Sequence, residues 1–389
     1  MPARSRPFAP DEISGEKAFP SLSAWRGTKL ESLLQSHAVP RAEPDRCRSA
    51  RDTYYNPIMT EFAILGAGAW GTAVGLVLAQ SPEHRVVLWS ARPQQAAVLH
   101  EKRENVRLLP GVPIPPSVHL TTDIAEAAAR ADLLVAAIPT AHLRGTLTRV
   151  AHAIPPDRPA LSLVKGIENV TFRRPSEIIT EVLGPRPLAV LSGPSHAEEV
   201  ARGLPTTLVA ASEDLALARW IQQRFGTERF RVYTNLDMVG VELAGALKNI
   251  IGIAAGICDS LGFGDNTKAA LLTRGLAEMA RFGVALGAET QTFWGLAGMG
   301  DLITTCFSRH GRNRAVGQRL GQGEKPGEII ASMDMVAEGI NTTRSVHERA
   351  IKMGISMPIA QEVYRVLYEN KDPRTAVTDL MLRAPKHEA

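Results

Sequence analysis

Lys248 and Asn249 stand side by side in the run Leu243-Ala-Gly-Ala-Leu-Lys-Asn-Ile-Ile-Gly-Ile253, whose other members are all apolar or small. A lysine avoids such surroundings unless it is paired or loses its proton. Burial and a neighbouring cation both depress an ammonium's pKa, and a lysine titrating near ~7–8 is an effective general acid–base at neutral pH. The bland alternative is a lysine stem lying along the helix edge with its charge in water.

Other residues suit the same chemistry. Lys165 closes an apolar run at Lys165-Gly166 and would supply the second cation. Gly298-Met-Gly-Asp-Leu-Ile-Thr-Thr305 offers Asp301 to orient Lys248 and Thr305 to touch a substrate. Gly311-Arg-Asn-Arg314 follows, where Arg312 suits bidentate grip of a phosphate and Asn313 adds a donor. Such a turn, taken alone, is commonly just a solvated loop. A further apolar run ends at Ser192-Gly-Pro-Ser195, and Ser195 with Glu198 spells S-x-x-E, a capping box. That role is compatible with ligand contact, since the capped helix start attracts anions.

The cofactor signal lies upstream. An apolar strand at 62–65 runs into Gly66-Ala-Gly68-Ala-Trp-Gly71 and then a helical stretch. In that setting Gly66 permits a tight turn, Gly68 admits a pyrophosphate to the backbone, and Gly71 lets helix and strand pack closely. The helix start presents unpaired N–H groups to the phosphates. The next strand, 86–89, ends in Ser90-Ala-Arg92 with no acid to hold a ribose 2′-hydroxyl. Arg92 suits a 2′-phosphate, so NADP(H) is expected to be accepted alongside NAD(H); its other reading is a surface arginine.

These residues need a sheet to hold them. Strands are expected at 62–65, 86–89, 133–138, 160–164, 188–191, 206–210 and 231–233, with helices at 72–80, 93–103 and 124–130. That alternation predicts βαβ units and a parallel sheet. Ligands sit beyond the carboxyl ends of such strands, where Pro139, Lys165 and the 192–195 turn fall. After residue 235 helices dominate, at 237–258, 266–286, 312–320, 342–352 and 358–368. The fold class is α/β: a Rossmann-type doubly wound sheet at 59–236, then an all-helical domain at 237–389. Residues 1–58 show no period and read as a poorly structured leader or an extension upstream of Met59.

Composition agrees with an ordinary globular protein: 44% hydrophobic, 22% charged, net charge +4. No Lys/Arg block marks a nucleic-acid footprint. Cys47, Cys258 and Cys306 lack metal-ligand or disulfide spacing, so no metal is expected, and a reducing, cytoplasmic location fits. The apolar run at 239–258 carries Glu242, Lys248 and Asn249, which argues against a membrane span.

Taken together the motifs resemble those of the bacterial-type NAD(P)-dependent glycerol-3-phosphate dehydrogenases. The matching pieces are GAGAWGTA (66–73), LVKGIE (163–168), LSGPSHAEEV (191–200), ELAGALKNI (242–250), TRGLAEM (273–279), AGMGDLITTC (297–306) and GRNRAVG (311–317), in the family's order. The resemblance implies reversible reduction of dihydroxyacetone phosphate to sn-glycerol 3-phosphate, for phospholipid synthesis, at a site between the two domains. It implies Lys248 as the catalytic lysine. Lys165, Gly193, Ser195, Asp301, Arg312 and Asn313 match the family's substrate-binding positions, and Lys248, Asn249 and Thr305 join them in the expected substrate-facing set. Ala69, Trp70, Lys165, Ala197, Arg312, Val336 and Glu338 would join the glycine turn at the cofactor. A homodimer is a further family-level expectation. Gly311 departs from many bacterial members, which have Ser there; its backbone N–H is expected to substitute for the hydroxyl. Two rival readings stand beside this one. A β-hydroxyacid dehydrogenase would want a carboxylate in place of the phosphate, and a non-catalytic NADP-binding sensor would leave the lysines and Asp301 unexplained.

Overall fold

The computed structural model describes residues 59–333, 337–385 and 387. The expected leader, 1–58, and Val336 lie outside the described residues. Eight strands form one sheet: β1 (Thr60–Leu65), β2 (His84–Trp89), β3 (Val118–Thr121), β4 (Leu133–Ala136), β5 (Ala160–Ser162), β6 (Leu188–Ser192), β7 (Thr206–Ala211) and β8 (Phe230–Asn235). Between them run α1 (Ala69–Leu78), α2 (Pro93–Lys102), α3 (Ile124–Ala129), α4 (Thr140–Val150), α5 (Pro175–Leu183), α6 (Ala197–Val200) and α7 (Leu215–Phe225).

The strand order is β3-β2-β1-β4-β5-β6-β7-β8. β1 lies between β2 and β4, with Leu65 level with both Trp89 and Ala136. Successive connections leave that point in opposite directions, which opens a crevice at the carboxyl ends of β1 and β4. The strands are apolar on both faces because helices cover both. Phe62 and Ile64 pack with Trp220 and Phe225, while Ala63 and Leu65 pack with Ala127 and Leu143.

Three sequence expectations change. β3 was not read, because Val-His-Leu-Thr is short and follows a Pro-rich loop at the sheet edge. β4 and β5 stop two residues early, at Ala136 and Ser162, where the chain leaves the sheet for the crevice. β7 is antiparallel to β6, and β8 runs parallel to β7. The β6–β7 connection holds only the four-residue α6. A parallel return needs a longer crossover helix, so the chain doubles back.

The second part is helical: α8 (Met238–Ser260), α9 (Asp265–Val284), α10 (Thr290–Trp294), a π-helical turn (Leu296–Gly300), α11 (Asp301–Phe307), α12 (Arg312–Gly321), α13 (Pro326–Ala331), α14 (Glu338–Met353), α15 (Pro358–Tyr368) and α16 (Pro373–Met381). α8 is its axis. Every residue from Gly240 to Cys258 is buried, so the helix is apolar nearly all round rather than striped. Among the described residues it is the one helix long and apolar enough to cross a membrane, yet its apolar stretch lies wholly inside the protein. Its core continues into the sheet through Val190, Val209 and Ala211. Glu242, near its start, accepts hydrogen bonds from the Ser176 backbone at 2.8 Å and from Arg174 at 2.7 Å, tying α8 to the start of α5.

α8 and α12 meet backbone to backbone. A Cβ on Gly256 would strike the Arg314 carbonyl, and one on Gly317 would strike the Ile253 carbonyl. Backbone cannot swing aside as a side-chain tip can, so Gly317→Ala should cost about 2 kcal/mol or more and lower the thermal midpoint by several degrees. Differential scanning calorimetry of the variant checks this; an unchanged midpoint would show that the contact is not tight.

Candidate active site

The crevice is a cleft of about 810 Å³ running from the glycine turn after β1 to α8, α11 and the start of α12. Gly66 and Gly71 have the steric roles that their positions predict. Gly66 has φ +124°, and a Cβ there would stand 2.6 Å from the Ala137 carbonyl oxygen. A Cβ on Gly71 would strike the Gly66 carbonyl, whereas one on Gly68 would meet nothing within 4 Å and project into open space. That space is where a phosphate can approach the backbone. Ala69, Trp70 and Gly71 open α1, whose first turn carries no acid. Their N–H groups lack intrahelical partners, and the helix dipole favours an anion. The turn thus fits a dinucleotide's pyrophosphate.

Nothing local in the sequence marks the residues that brace this turn. Gln95 Nε2 and Asn105 Nδ2 donate to the Ala67 carbonyl at 2.6 and 3.1 Å, and Asn105 also reaches Thr72 Oγ1 at 2.9 Å. At the end of β2, Ser90, Ala91 and Arg92 line the cleft, with Arg92 exposed at the start of α2.

At the other end two lysines share one carboxylate. Asp301, 2% exposed, is delivered by the π-helical turn to the start of α11. Its Oδ2 accepts from Lys165 Nζ at 2.8 Å and its Oδ1 from Lys248 Nζ at 2.8 Å. Burial alone would raise the Asp301 pKa, but the two ammonium groups outweigh it and hold the carboxyl below its usual value. Lys248 moves the other way. Burial, opposed by Asp301 and aided by Lys165, brings it down to about 8. With one negative charge for two positive ones, the carboxylate stays ionised and one ammonium becomes easy to deprotonate.

The hydrogen-bond inventory separates the two lysines. Lys165 Nζ donates to Gly193 O at 2.9 Å, Ser195 Oγ at 3.1 Å and Asp301, which engages all three of its N–H groups. Lys248 Nζ donates to Asp301 and to Thr305 Oγ1 at 2.6 Å. Its third position meets no partner among the described residues, and Lys248 lines the cleft. Lys248 is therefore the one with a proton, or a lone pair, to offer.

Asn249 is built into a ladder. Its Nδ2 donates to Lys165 O at 3.1 Å and to Gly245 O at 3.4 Å. Its Oδ1 accepts from Asn313 Nδ2 at 2.9 Å, and Asn313 Oδ1 accepts from Gly339 N at 3.0 Å. The two asparagines thus lock the loop after β5, α8, α12 and α14 together. Glu338, the first residue of α14, accepts from Thr140 N at 2.8 Å and Thr140 Oγ1 at 2.9 Å, capping α4 where Pro139 has no side-chain acceptor. Burial raises the Glu338 carboxyl against the pull of Thr140 and Arg312.

The cleft brings together nearly all the expected residues: Gly66, Gly68, Ala69, Trp70, Gly71, Arg92, Lys165, Ser195, Ala197, Lys248, Asn249, Asp301, Thr305, Gly311, Arg312, Asn313 and Glu338. Three expectations are corrected. Gly193 does not line it; its carbonyl instead holds Lys165. Ser195 is not a helix cap, because α6 begins at Ala197 with His196 before it, and the Ser195 hydroxyl donates to Gly193 O at 2.8 Å. Gly311 does not offer a spare N–H, which donates to Ser308 O at 3.2 Å. A Cβ at 311 would stand 2.9 Å from the Thr305 carbonyl, so serine would not fit there without a shift. Three histidines not singled out in the sequence, His142, His196 and His310, also line the cleft. His196 and His310 approach to 6.0 Å between ring centroids. Burial first, then the Lys248 charge, hold His196 below the ordinary imidazole value.

Known proteins resemble this chain over most of its length. Residues 61–218 match the model of the NAD-dependent glycerol-3-phosphate dehydrogenase N-terminus, and residues 237–378 match that of its C-terminus. A glycerol-3-phosphate dehydrogenase [NAD(P)+] of Chlorobium phaeobacteroides strain BS1 is 49% identical over 331 residues, 84% of this chain and 99% of the relative. One from Geobacillus thermodenitrificans is 48% identical over 333 residues, covering 85% and 97%. The crystal structure of the Coxiella burnetii glycerol-3-phosphate dehydrogenase superposes with a TM-score of 0.81 at 38% identity, covering 84% of this chain and all of that one.

Asp301→Asn removes the charge that both lysines share. Stability at pH 7 should fall by about 3–5 kcal/mol in urea denaturation. Lys248, losing the partner that raises its pKa, should titrate below about 8 by NMR of labelled lysine. A titration unmoved by the substitution would show that Asp301 does not set the Lys248 charge.

Proposed function

The chain belongs to the NAD-dependent glycerol-3-phosphate dehydrogenase family and reversibly reduces dihydroxyacetone phosphate to sn-glycerol 3-phosphate with NAD(P)H, and from that premise we propose that Lys248 is its general acid–base. The observation that carries this reading is the open third position on Lys248 Nζ, held toward the cleft by Asp301 and Thr305.

When bound, the nicotinamide supplies the hydride to the substrate's carbonyl carbon or takes it back. The protonated Lys248 donates its free proton to the oxygen on that carbon during reduction and recovers it in the reverse direction. Thr305 and Asp301 keep Nζ aimed during both transfers. Lys165 does not donate to substrate; it holds Asp301 ionised and fixes Ser195. Arg312, at the first position of α12, grips the phosphate together with the helix start. Asn249 and Asn313 act by positioning, through their ladder, rather than by direct grip alone. Gly66, Gly68, Ala69, Trp70 and Gly71 hold the pyrophosphate, and Arg92 holds the 2′-phosphate of NADP(H). Residues 59–236 then serve as the nucleotide-binding domain and 237–389 as the helical catalytic domain. A cytoplasmic location, a homodimer and a place in phospholipid synthesis complete the reading.

Loss of NADPH absorbance on adding dihydroxyacetone phosphate measures the reaction directly. Lys248→Met should lower kcat by ~10²–10⁴-fold, and unphosphorylated dihydroxyacetone should be a poor substrate for the unaltered enzyme. Turnover of a carboxylate ketone in preference to the phosphate would overturn the substrate assignment. Because reduction needs Lys248 protonated, its rate should fall as pH rises through about 8, and the oxidation rate should rise over the same range. Two parallel profiles would remove Lys248 from the proton transfer.

Arg92→Glu should weaken NADPH roughly tenfold or more, by loss of a charge-assisted contact, while leaving NADH nearly unaffected. Equal losses for the two cofactors, measured as kcat/KM, would place Arg92 outside the 2′-phosphate site.

A further inference from the structure

Dihydroxyacetone phosphate presents three polar ends to the cleft: a phosphate, the reacting oxygen and a terminal hydroxyl. The reading above assigns Arg312 to the first and Lys248 to the second, which leaves the hydroxyl without a partner. Most polar side chains near Lys248 are already committed. Lys165 has no N–H left, Asn249 has both N–H groups in use, and Ser195 Oγ donates to Gly193 while accepting from Lys165.

Two groups are not: the Thr305 hydroxyl, which accepts from Lys248 and keeps its own proton to donate, and the His196 ring. His196 directly follows Ser195, which accepts from Lys165, and it lines the cleft. Its Nε2 is buried with no hydrogen-bond partner among the described residues. A buried ring nitrogen without a partner calls for a reason, and one reason is a ligand that completes it. His310 also lines the cleft, its ring centroid 6.0 Å from that of His196 and its Nε2 accepting from Arg309 Nε at 3.4 Å. A neutral imidazole can both donate and accept, as a hydroxyl does.

We propose that His196 reads the terminal hydroxyl of the substrate, the one that takes no part in the reaction, and so distinguishes dihydroxyacetone phosphate from ketone phosphates that lack it. This rests on the assignment of Lys248 to the reacting oxygen. A site built to hydrogen-bond a substrate hydroxyl rejects the analogue without it, because the site's own polar group is then left unpaired.

The test is the ratio of kcat/KM for dihydroxyacetone phosphate to that for acetol phosphate, which has a methyl group in place of the hydroxymethyl. The unaltered enzyme should favour the former by roughly tenfold or more. His196→Phe, which keeps a flat ring, should bring the ratio close to one, chiefly by slowing dihydroxyacetone phosphate. His196→Asn, which keeps a donor and an acceptor, should retain part of the preference. NADPH affinity, measured by fluorescence titration, should be unchanged in both. His196→Ala gives the same comparison should the larger ring not be accommodated. An unaltered ratio with NADPH binding intact, or an equal loss for both substrates, would overturn the proposal and leave His196 as a wall of the cleft. Failure of the unaltered enzyme to use dihydroxyacetone phosphate would instead strike the underlying reading of the site.

Discussion

One buried carboxylate answers two ammonium groups, and the cleft is organised around that imbalance. Asp301 sits where three parts of the chain converge: the loop after β5 brings Lys165, the middle of α8 brings Lys248, and the π-helical turn brings the carboxylate itself. A matched pair would hold both partners charged through the physiological range. The odd cation leaves the trio with a net positive charge, which suits an anionic substrate and makes a proton on Lys248 easy to give up. A shift of this size needs burial, and burial needs the apolar neighbours that make α8 a core helix.

Such a site works only if its atoms stay put, and the structure secures them with short, mutually exclusive contacts. The Asn249–Asn313 ladder uses each amide in one orientation, since reversing either would set donor against donor. Glu338 clips α14 to the start of α4, so the helical part also grips the sheet beside the cleft. The glycine contacts between α8 and α12 bring Arg312 and Lys248 onto two backbones that touch. These are rigid elements rather than loops, the setting in which functional groups can be held closely.

How much of this could be read from the residues depends on how local the cause is. The glycine turn was legible because each glycine answers a constraint within a few residues of itself. Lys248 was legible because a charged residue in an apolar helix is out of place by type alone. The reversal of β7 was not, since it follows from how little helix the β6–β7 connection contains. Ser195 was misread as a cap because S-x-x-E is a local pattern, while the Lys165 ammonium that claims its hydroxyl comes from 30 residues away. Gln95, Asn105 and His196 carry no local signal at all, and Asn249 and Asn313, though picked out singly, show nothing of their pairing; such roles exist only once distant segments meet.

The reversed strands have a consequence for how the lysine is aimed. Because β7 and β8 run against the other six, Asn235 pairs with Ala211, which faces Val190 at the middle of β6, so β8 ends pointing away from the cleft. α8 must start there and climb. At 1.5 Å per residue the ten steps from Met238 to Lys248 span about 15 Å, close to the length of a five-residue strand. By Gly245 the helix is already against Ser192 at the end of β6 and the stem of Lys165. The first half of α8 is thus a measuring rod with a phase as well as a length. Adding or removing one residue would move Lys248 by only 1.5 Å along the axis, yet would swing it by about 100° around it, away from Asp301. The geometry therefore constrains the stretch between the last strand and the lysine far more in length than in composition.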